Sequence, residues 1–220
     1  MPELPTDALA ARFAPFEALA AQLIDHATDS DDGAHDLAHI LRVFGNAFSI
    51  QSSEGGDGEV LAAAVLLHDC VAVEKNAQNR AQASALAADK ASRILSELGW
   101  AKARIASVAH AIHAHSFSAN VAPQTLEAKI LQDADRLDSL GLIGVARTFY
   151  IAGRMGSQLY HAGDPSGMKR DLDDRTYALD HFQTKLLKLA DGFRTPAGRL
   201  LAQERHRQLA AFYDAFLYEI

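Results

Sequence analysis

Val60-Leu61-Ala62-Ala63-Ala64-Val65-Leu66-Leu67 is the longest uncharged apolar run in the chain, and it stops at His68-Asp69. The run is far shorter than the roughly 20 residues a membrane-spanning helix needs. It reads instead as a core-forming helix, about Glu59 to His68, that carries two adjacent polar groups to its end. Burying an imidazole and a carboxylate without partners is costly. A metal ion would supply a partner for both, and a helix-terminal pair exposed to solvent is the plainer alternative.

Working outward from this run, the chain is rich in Ala and Leu, and its apolar residues recur at three- and four-residue intervals rather than alternating, which predicts an all-α fold. Asp31-Asp32-Gly33 signals a turn, followed by a helix from about His35 to Gln51; Ser52 to Gly58 is a flexible connector. Further helices are expected at about Gln78–Leu98, stopped by Gly99, and at Trp100–His115, Pro123–Gln132, Ser139–Ala152, Tyr177–Leu189 and Pro196–Tyr218. Gly141 and Gly144 suggest close helix contact. Gly, Asp and Pro crowd between Gly153 and Arg175, which predicts an irregular surface excursion, either a lid whose Asp164, Arg170 and Arg175 meet a substrate or a plain loop. A chain of 220 residues and 23.7 kDa fits one hydrophobic core. The expected organisation is a single helical domain over 1–220, with a core of about 35–152 and C-terminal helices 177–218 packed on it.

Composition narrows the function classes. The formal charge is −7, so attraction to a polymeric nucleic acid is not built in, and any anionic substrate must be held by local groups. No segment is long and apolar enough for a bilayer, so no membrane partner is expected. Met1-Pro2-Glu3-Leu4-Pro5 lacks the basic and apolar regions of a secretory signal, and a cytoplasmic location is the default. The single cysteine, Cys70, excludes an intrachain disulfide and a multi-cysteine zinc module. It reads as a small buried packing group, with oxidation sensing a remote second reading. A bound metal must therefore be held by His, Asp and Glu.

Among the ten histidines, His39, His68-Asp69 and Asp135 form an ordered series of His, His-Asp and Asp. Imidazole and carboxylate donors together suit one divalent ion such as Mn²⁺, Fe²⁺, Ni²⁺ or Zn²⁺, with Mg²⁺ less natural because it prefers oxygen. This order resembles the HD superfamily of metal-dependent phosphohydrolases, in which His, His-Asp and Asp from separate helices of an all-α, phosphodiesterase-like bundle hold a divalent metal. The resemblance implies His39, His68, Asp69 and Asp135 as ligands. His35-Asp36-Leu37-Ala38-His39, Lys75-Asn76, Ser84 to Lys90, His115-Ser116-Phe117-Ser118, Glu127 to Ile130, Gln132 to Asp138, Leu172 to Arg175 and Tyr177 to Leu189 are similar to the YedJ-type branch of that superfamily. Branch members are described as predicted phosphohydrolases. The branch that hydrolyses guanosine tetraphosphate carries an acidic pair where this chain has Ala72 and Val73, and the Gly-Tyr-Pro signature of the cyclic-dinucleotide branch is absent. The large deoxynucleotide triphosphohydrolases carry insertions that this length cannot hold.

The remaining polar residues can be assigned expectations. Arg42, three residues after His39, shares its helical face and could hold a phosphate, with an ion pair to Asp36 or another acid as the alternative. Lys75 and Arg80 follow the His-Asp pair and could approach a leaving phosphate; Lys75 is also expected to matter for catalysis. Asp138 is a base or ligand-orienting candidate if its helix continues past Asp135, and Asp133 should point away. His115 and His35 are expected to line the pocket and touch substrate or metal-bound water. His110 and His113, and also His35 and His39, have chelating spacing, but no acid adjoins His110 or His113, which disfavours a second ion. The resulting expectation is an enzyme cleaving a phosphoester or phosphoanhydride bond of a small phosphorylated substrate, a nucleotide being the leading class, with Asp69, Asp138 and Lys75 central to catalysis. A metal-containing nucleotide sensor with little turnover and a purely structural helical protein are the rivals. Oligomeric state is left open.

Overall fold

A computed structural model describes residues 6–27, 36–71, 82–116 and 119–220. The fold is all-α: among the described residues there is no strand, and only an isolated bridge joins Gln158 to Tyr177. The chain divides into two compact units, Met1–Asp135 and Arg136–Ile220.

The first unit holds α1 (Thr6–Ala10), α2 (Glu17–Leu23), α3 (Leu37–Glu54), α4 (Gly58–Leu67), α5 (Ala83–Glu97), α6 (Lys102–His115) and nearly all of α7 (Leu126–Leu137). α4 is its centre. Asp57 caps the helix by accepting from the Glu59 and Val60 amides at 3.0 and 3.1 Å, and Val60 through Leu67 are all buried. A helix apolar on every side must be enclosed, and α2, α3, α5 and α6 pack against it. On the surface, Arg104 of α6 ties down the entrance of α4 through Glu59 (2.6 Å) and Asp57 (3.1 Å) and lies over the Trp100 ring.

The second unit contains α8 (Gly141–Met155), α9 (Asp180–Thr184), a 3₁₀ segment Leu186–Gly192 and α10 (Pro196–Tyr218). α8 packs on α10, with Phe149, Phe182, Phe212 and Phe216 forming an aromatic cluster. Gly141 does allow a close helix approach, since a Cβ there would lie 3.3–3.4 Å from Gln208 and Arg205 of α10. Gly144 serves a different purpose: a Cβ would meet the Ser139 carbonyl at 2.3 Å, so it clears the turn entering its own helix.

Several helix boundaries differ from the sequence reading: α3 runs on to Glu54, taking up Ser52 to Glu54 of the expected connector, and α8 runs on to Met155. α7 begins at Leu126, where Thr125 Oγ1 accepts from the Ala128 amide, and it continues to Leu137, so Asp133 and Asp135 are helical. The expected helix Tyr177–Leu189 is instead α9 plus the 3₁₀ segment, because Lys185 leaves helical geometry (φ −134°, ψ −61°). The segment between Gly153 and Arg175 is irregular after α8 ends, as its composition predicts.

Candidate metal centre

The first unit brings three helix ends and one helix start together around a set of nitrogen and oxygen donors. His68 caps the C-terminus of α4, with Asp69 next to it; His115 is the last residue of α6; Asp135 lies in the last turn of α7. His39 sits in the first turn of α3, whose cap Asp36 accepts from the His39 amide at 2.9 Å. Three of the four helix ends are C-terminal and present negative partial charge, so the fold itself favours a cation here.

The distances are compact. His39 Nε2 lies 3.3 Å from His68 Nε2, 3.5 Å from Asp135 Oδ1 and 3.6 Å from Asp69 Oδ2. His68 Nε2 is 3.6 Å from Asp69 Oδ2, and His115 Nε2 is 3.9 Å from Asp69 Oδ1. Most of these separations are long for hydrogen bonds. Donors that share an ion at about 2.1 Å stand roughly 3.0–3.4 Å apart, close to the spacing seen. His39 and His68 are about 1% exposed, whereas the Asp69 and Asp135 side chains are 26% and 34% exposed, so the cluster is walled by imidazoles and open on its carboxylate side.

Protonation follows from the partners. His68 Nδ1 lies 2.7 Å from the Val65 carbonyl, which can only accept, so Nδ1 carries the hydrogen. Burial holds the His68 imidazole below its usual range, outweighing the opposing pull of Asp69. A neutral ring with Nδ1 protonated leaves Nε2 a bare lone pair aimed into the cluster. His115 makes the same Nδ1 hydrogen bond, to the Ile112 carbonyl at 2.6 Å. Both arrangements are the outer hydrogen bonds that metal-binding histidines make. Two donor groups, His39, His68 and Asp135, and His68, Asp69 and His115, could each hold an ion. The residues fit a divalent ion in number, donor type, charge and spacing.

The comparisons with known proteins agree with this chemistry. The HD domain family profile matches residues 36–140. The uncharacterized Bacillus subtilis protein YpgQ is 34% identical over 189 residues, covering 84% of this chain and 83% of that protein. An HD-superfamily hydrolase from Bacillus thuringiensis superposes with a TM-score of 0.69 at 32% identity, over 96% of each chain. The chain belongs to the HD-domain family. Membership makes it a metal-dependent hydrolase of the phosphohydrolase type. A crystal structure of Bacillus subtilis YpgQ in complex with ADP matches with a TM-score of 0.68 at 29% identity, over 98% of each chain. Among the described residues, no helix is long and apolar enough to cross a membrane.

Within the HD domain, the structure gathers His39, His68, Asp69 and Asp135, and adds His115, which the sequence suggested for substrate contact rather than for the donor set. The signal for that addition was its place at the end of a helix, with a carbonyl one turn back to fix its tautomer. Arg42 is half-buried on α3, one turn beyond His39. Asp133 is fully buried in α7. Asp138 follows the last residue of α7 in a turn, fully buried and ion-paired with Arg147. His110 accepts a hydrogen bond from the Gln124 amide at 2.9 Å through Nε2, which uses the lone pair a second ion would need. His35, Lys75 and Arg80 lie outside the described residues. Outside the HD domain, Asp164 and Arg170 of the excursion have partners within the second unit. Asp164 accepts from the Met168 and Lys169 amides, and Arg170 pairs with Asp180 and lies over the Tyr177 ring.

Proposed function

We propose that this HD-domain protein hydrolyses a phosphoester or phosphoanhydride bond of a nucleotide, using one divalent ion held by His39, His68, Asp69 and Asp135. The observation that carries the reading is the 3.3 Å approach of two buried imidazole nitrogens with carboxylates 3.5–3.6 Å away. When bound, a divalent ion supplies Lewis acidity toward a phosphoryl oxygen and lowers the pKa of water. Asp69 and Asp135 offset the ion's charge, and the neutral imidazoles hold it without adding charge. His115, whose Nδ1 is committed to the Ile112 carbonyl, turns Nε2 toward Asp69, where it is assigned to an attacking water or to substrate. Arg42, on the His39 face of α3, and Lys75 and Arg80 are assigned to the phosphate oxygens, where charge builds as the bond breaks. His35 is assigned to the pocket wall. Asp138, whose carboxylate is taken up by Arg147, suits orientation better than proton transfer.

The ADP complex of YpgQ supports a nucleotide over other phosphorylated small molecules. Membership of the YedJ-type branch and a single rather than double ion complete the reading. The test is release of phosphate or pyrophosphate from a nucleotide panel with Mn²⁺. Asp69→Ala is expected to lose both ion and turnover, while Lys75→Ala keeps the ion and weakens substrate use. Nucleotide binding without turnover in the wild-type protein would make the chain a sensor, and turnover in metal-free Asp69→Ala would exclude the mechanism.

A further inference from the structure

Four side chains that carry no donor role make hydrogen bonds to the main chain at, or beside, a donor residue. Asp36 Oδ1 accepts from the His39 amide at 2.9 Å. Asn46 Nδ2 donates to the Ala134 carbonyl at 3.0 Å, within the peptide group that joins Ala134 to Asp135. Gln132 Nε2 donates to the Ala114 carbonyl at 2.8 Å, within the peptide group that joins Ala114 to His115. Lys90 Nζ donates to the Cys70 carbonyl at 2.7 Å, one residue past Asp69. Three donor residues therefore have the peptide immediately before them pinned by a side chain.

The reason for these bonds begins with helix ends. Ala114 is among the last residues of α6, where carbonyls have no amide one turn ahead in the helix, and Ala134 opens the last turn of α7. Both alanines are fully buried, so water does not serve them, and a buried carbonyl needs a partner. Asn46 and Gln132, themselves 7% and 4% exposed, reach across from neighbouring helices to supply it.

The placement along each helix goes further than capping. Asn46 stands two turns beyond His39 on the same face of α3, and Gln132 one turn before Asp135 on the same face of α7. The first bond ties the His39 helix to the Asp135 residue; the second ties the Asp135 helix to the His115 residue. His39, Asp135 and His115 are thereby spaced by a chain of two inter-helix hydrogen bonds and three stiff helical segments.

We propose that Asn46 and Gln132 are positioning residues that set the spacing of the metal donors across α3, α7 and α6, with Asp36 and Lys90 fixing the backbone at His39 and beside Asp69. The inference rests on the metal-binding reading above. A donor cage held this way is built before the ion arrives, and loosening it lowers affinity without removing any donor.

The test measures Mn²⁺ affinity by electron paramagnetic resonance and the Co²⁺ ligand-field spectrum in the full-length chain. The variants are Asn46→Leu and Gln132→Met, which keep size but lose the amide, with Ile50→Val as a control for core loosening on α3. Each amide variant is expected to bind Mn²⁺ about 10–100-fold more weakly and to alter the Co²⁺ bands, while Ile50→Val keeps both at wild-type values. Asp36→Ser, which retains a capping oxygen, should bind Mn²⁺ as the wild type does, and Asp36→Ala more weakly; this pair decides the matter even where an amide variant fails to fold. Amide and Asp36→Ala variants that melt lower yet bind Mn²⁺ and Co²⁺ as the wild type does would overturn the positioning role and leave the metal reading standing. A wild-type protein that binds neither ion would overturn the metal reading, and this inference with it.

Discussion

The donor cluster of the first unit and the loop segment of the second both concentrate acidic side chains, and they treat them in opposite ways. In the second unit Asp164, Asp173, Asp174 and Asp180 each meet dedicated partners. Asp180, fully buried, takes both Arg170 guanidinium nitrogens at 2.6 and 2.7 Å and the Asp173 amide at 2.7 Å. Asp174 accepts from His181 and Thr184, each at 2.9 Å. In the first unit Asp69 and Asp135 face imidazole nitrogens at 3.5–3.9 Å, one of them on a ring kept neutral by burial. Charges that are fully answered hold a fold together. Charges gathered with imidazole nitrogens at the spacing of donors around a shared cation serve binding instead.

The sharpest way to break that contrast is to neutralise one carboxylate in each region. Asp135→Asn is expected to weaken Mn²⁺ binding by more than about 100-fold while the metal-free protein melts within a few degrees of wild type. Asp180→Asn should do the reverse, lowering the melting temperature by several degrees because Arg170 loses its partner, with Mn²⁺ affinity unchanged. Calorimetry with and without Mn²⁺ reads both. A large loss of metal-free stability in Asp135→Asn would place that carboxylate among the structural ones.

A smaller effect separates the regions by pH. The folded state resists protonating His68, whereas the unfolded chain takes up that proton near the ordinary imidazole value of 6.5. The unfolded state then binds more protons, so metal-free stability should be full above about 6.5 and decline as pH falls below it. Bound Mn²⁺ should protect the protein most at neutral pH and less in acid, because protons compete for the same nitrogen. The Asp174 carboxyl is held below its ordinary value of 3.8, first by the His181 hydrogen bond and then by Thr184. Its contribution is present above about 3.8 and disappears only as pH falls below that. Urea midpoints measured from pH 3 to pH 8 with His68→Gln and Asp174→Asn should lose the upper and lower inflections respectively. The smallest effect is the stability cost of Asp174→Asn at neutral pH, within about 1 kcal/mol, since the pair with His181 is partly exposed.

Much of this arrangement was legible in the sequence because it rests on local signals. α4 announced itself by an unbroken apolar run after Asp57, and α10 by Thr195-Pro196 at its start. The series of His39, His68-Asp69 and Asp135 could be assembled because its order resembles that of the HD superfamily, and only His68-Asp69 was marked by an apolar run that had to be buried. α1 and α2 were not anticipated: they are short, and Phe16, at the start of α2, offers no capping oxygen. The division of Tyr177–Leu189 at Lys185 is a tertiary effect with no breaker residue to mark it. His115 was assigned to the pocket, but its approach to Asp69 was not legible, since it depends on how α4 and α6 meet. Asn46 and Gln132 looked like ordinary polar residues; their meaning lies in the carbonyls opposite them, which only packing reveals.

Anomalous diffraction from crystals grown with Mn²⁺ tests the central claim most directly. The account predicts a single strong peak about 2.0–2.3 Å from Nε2 of His39 and His68 and from carboxylate oxygens of Asp69 and Asp135. Crystals in Mn²⁺ that show those four side chains ordered around water alone, or a peak held by other residues, would contradict it.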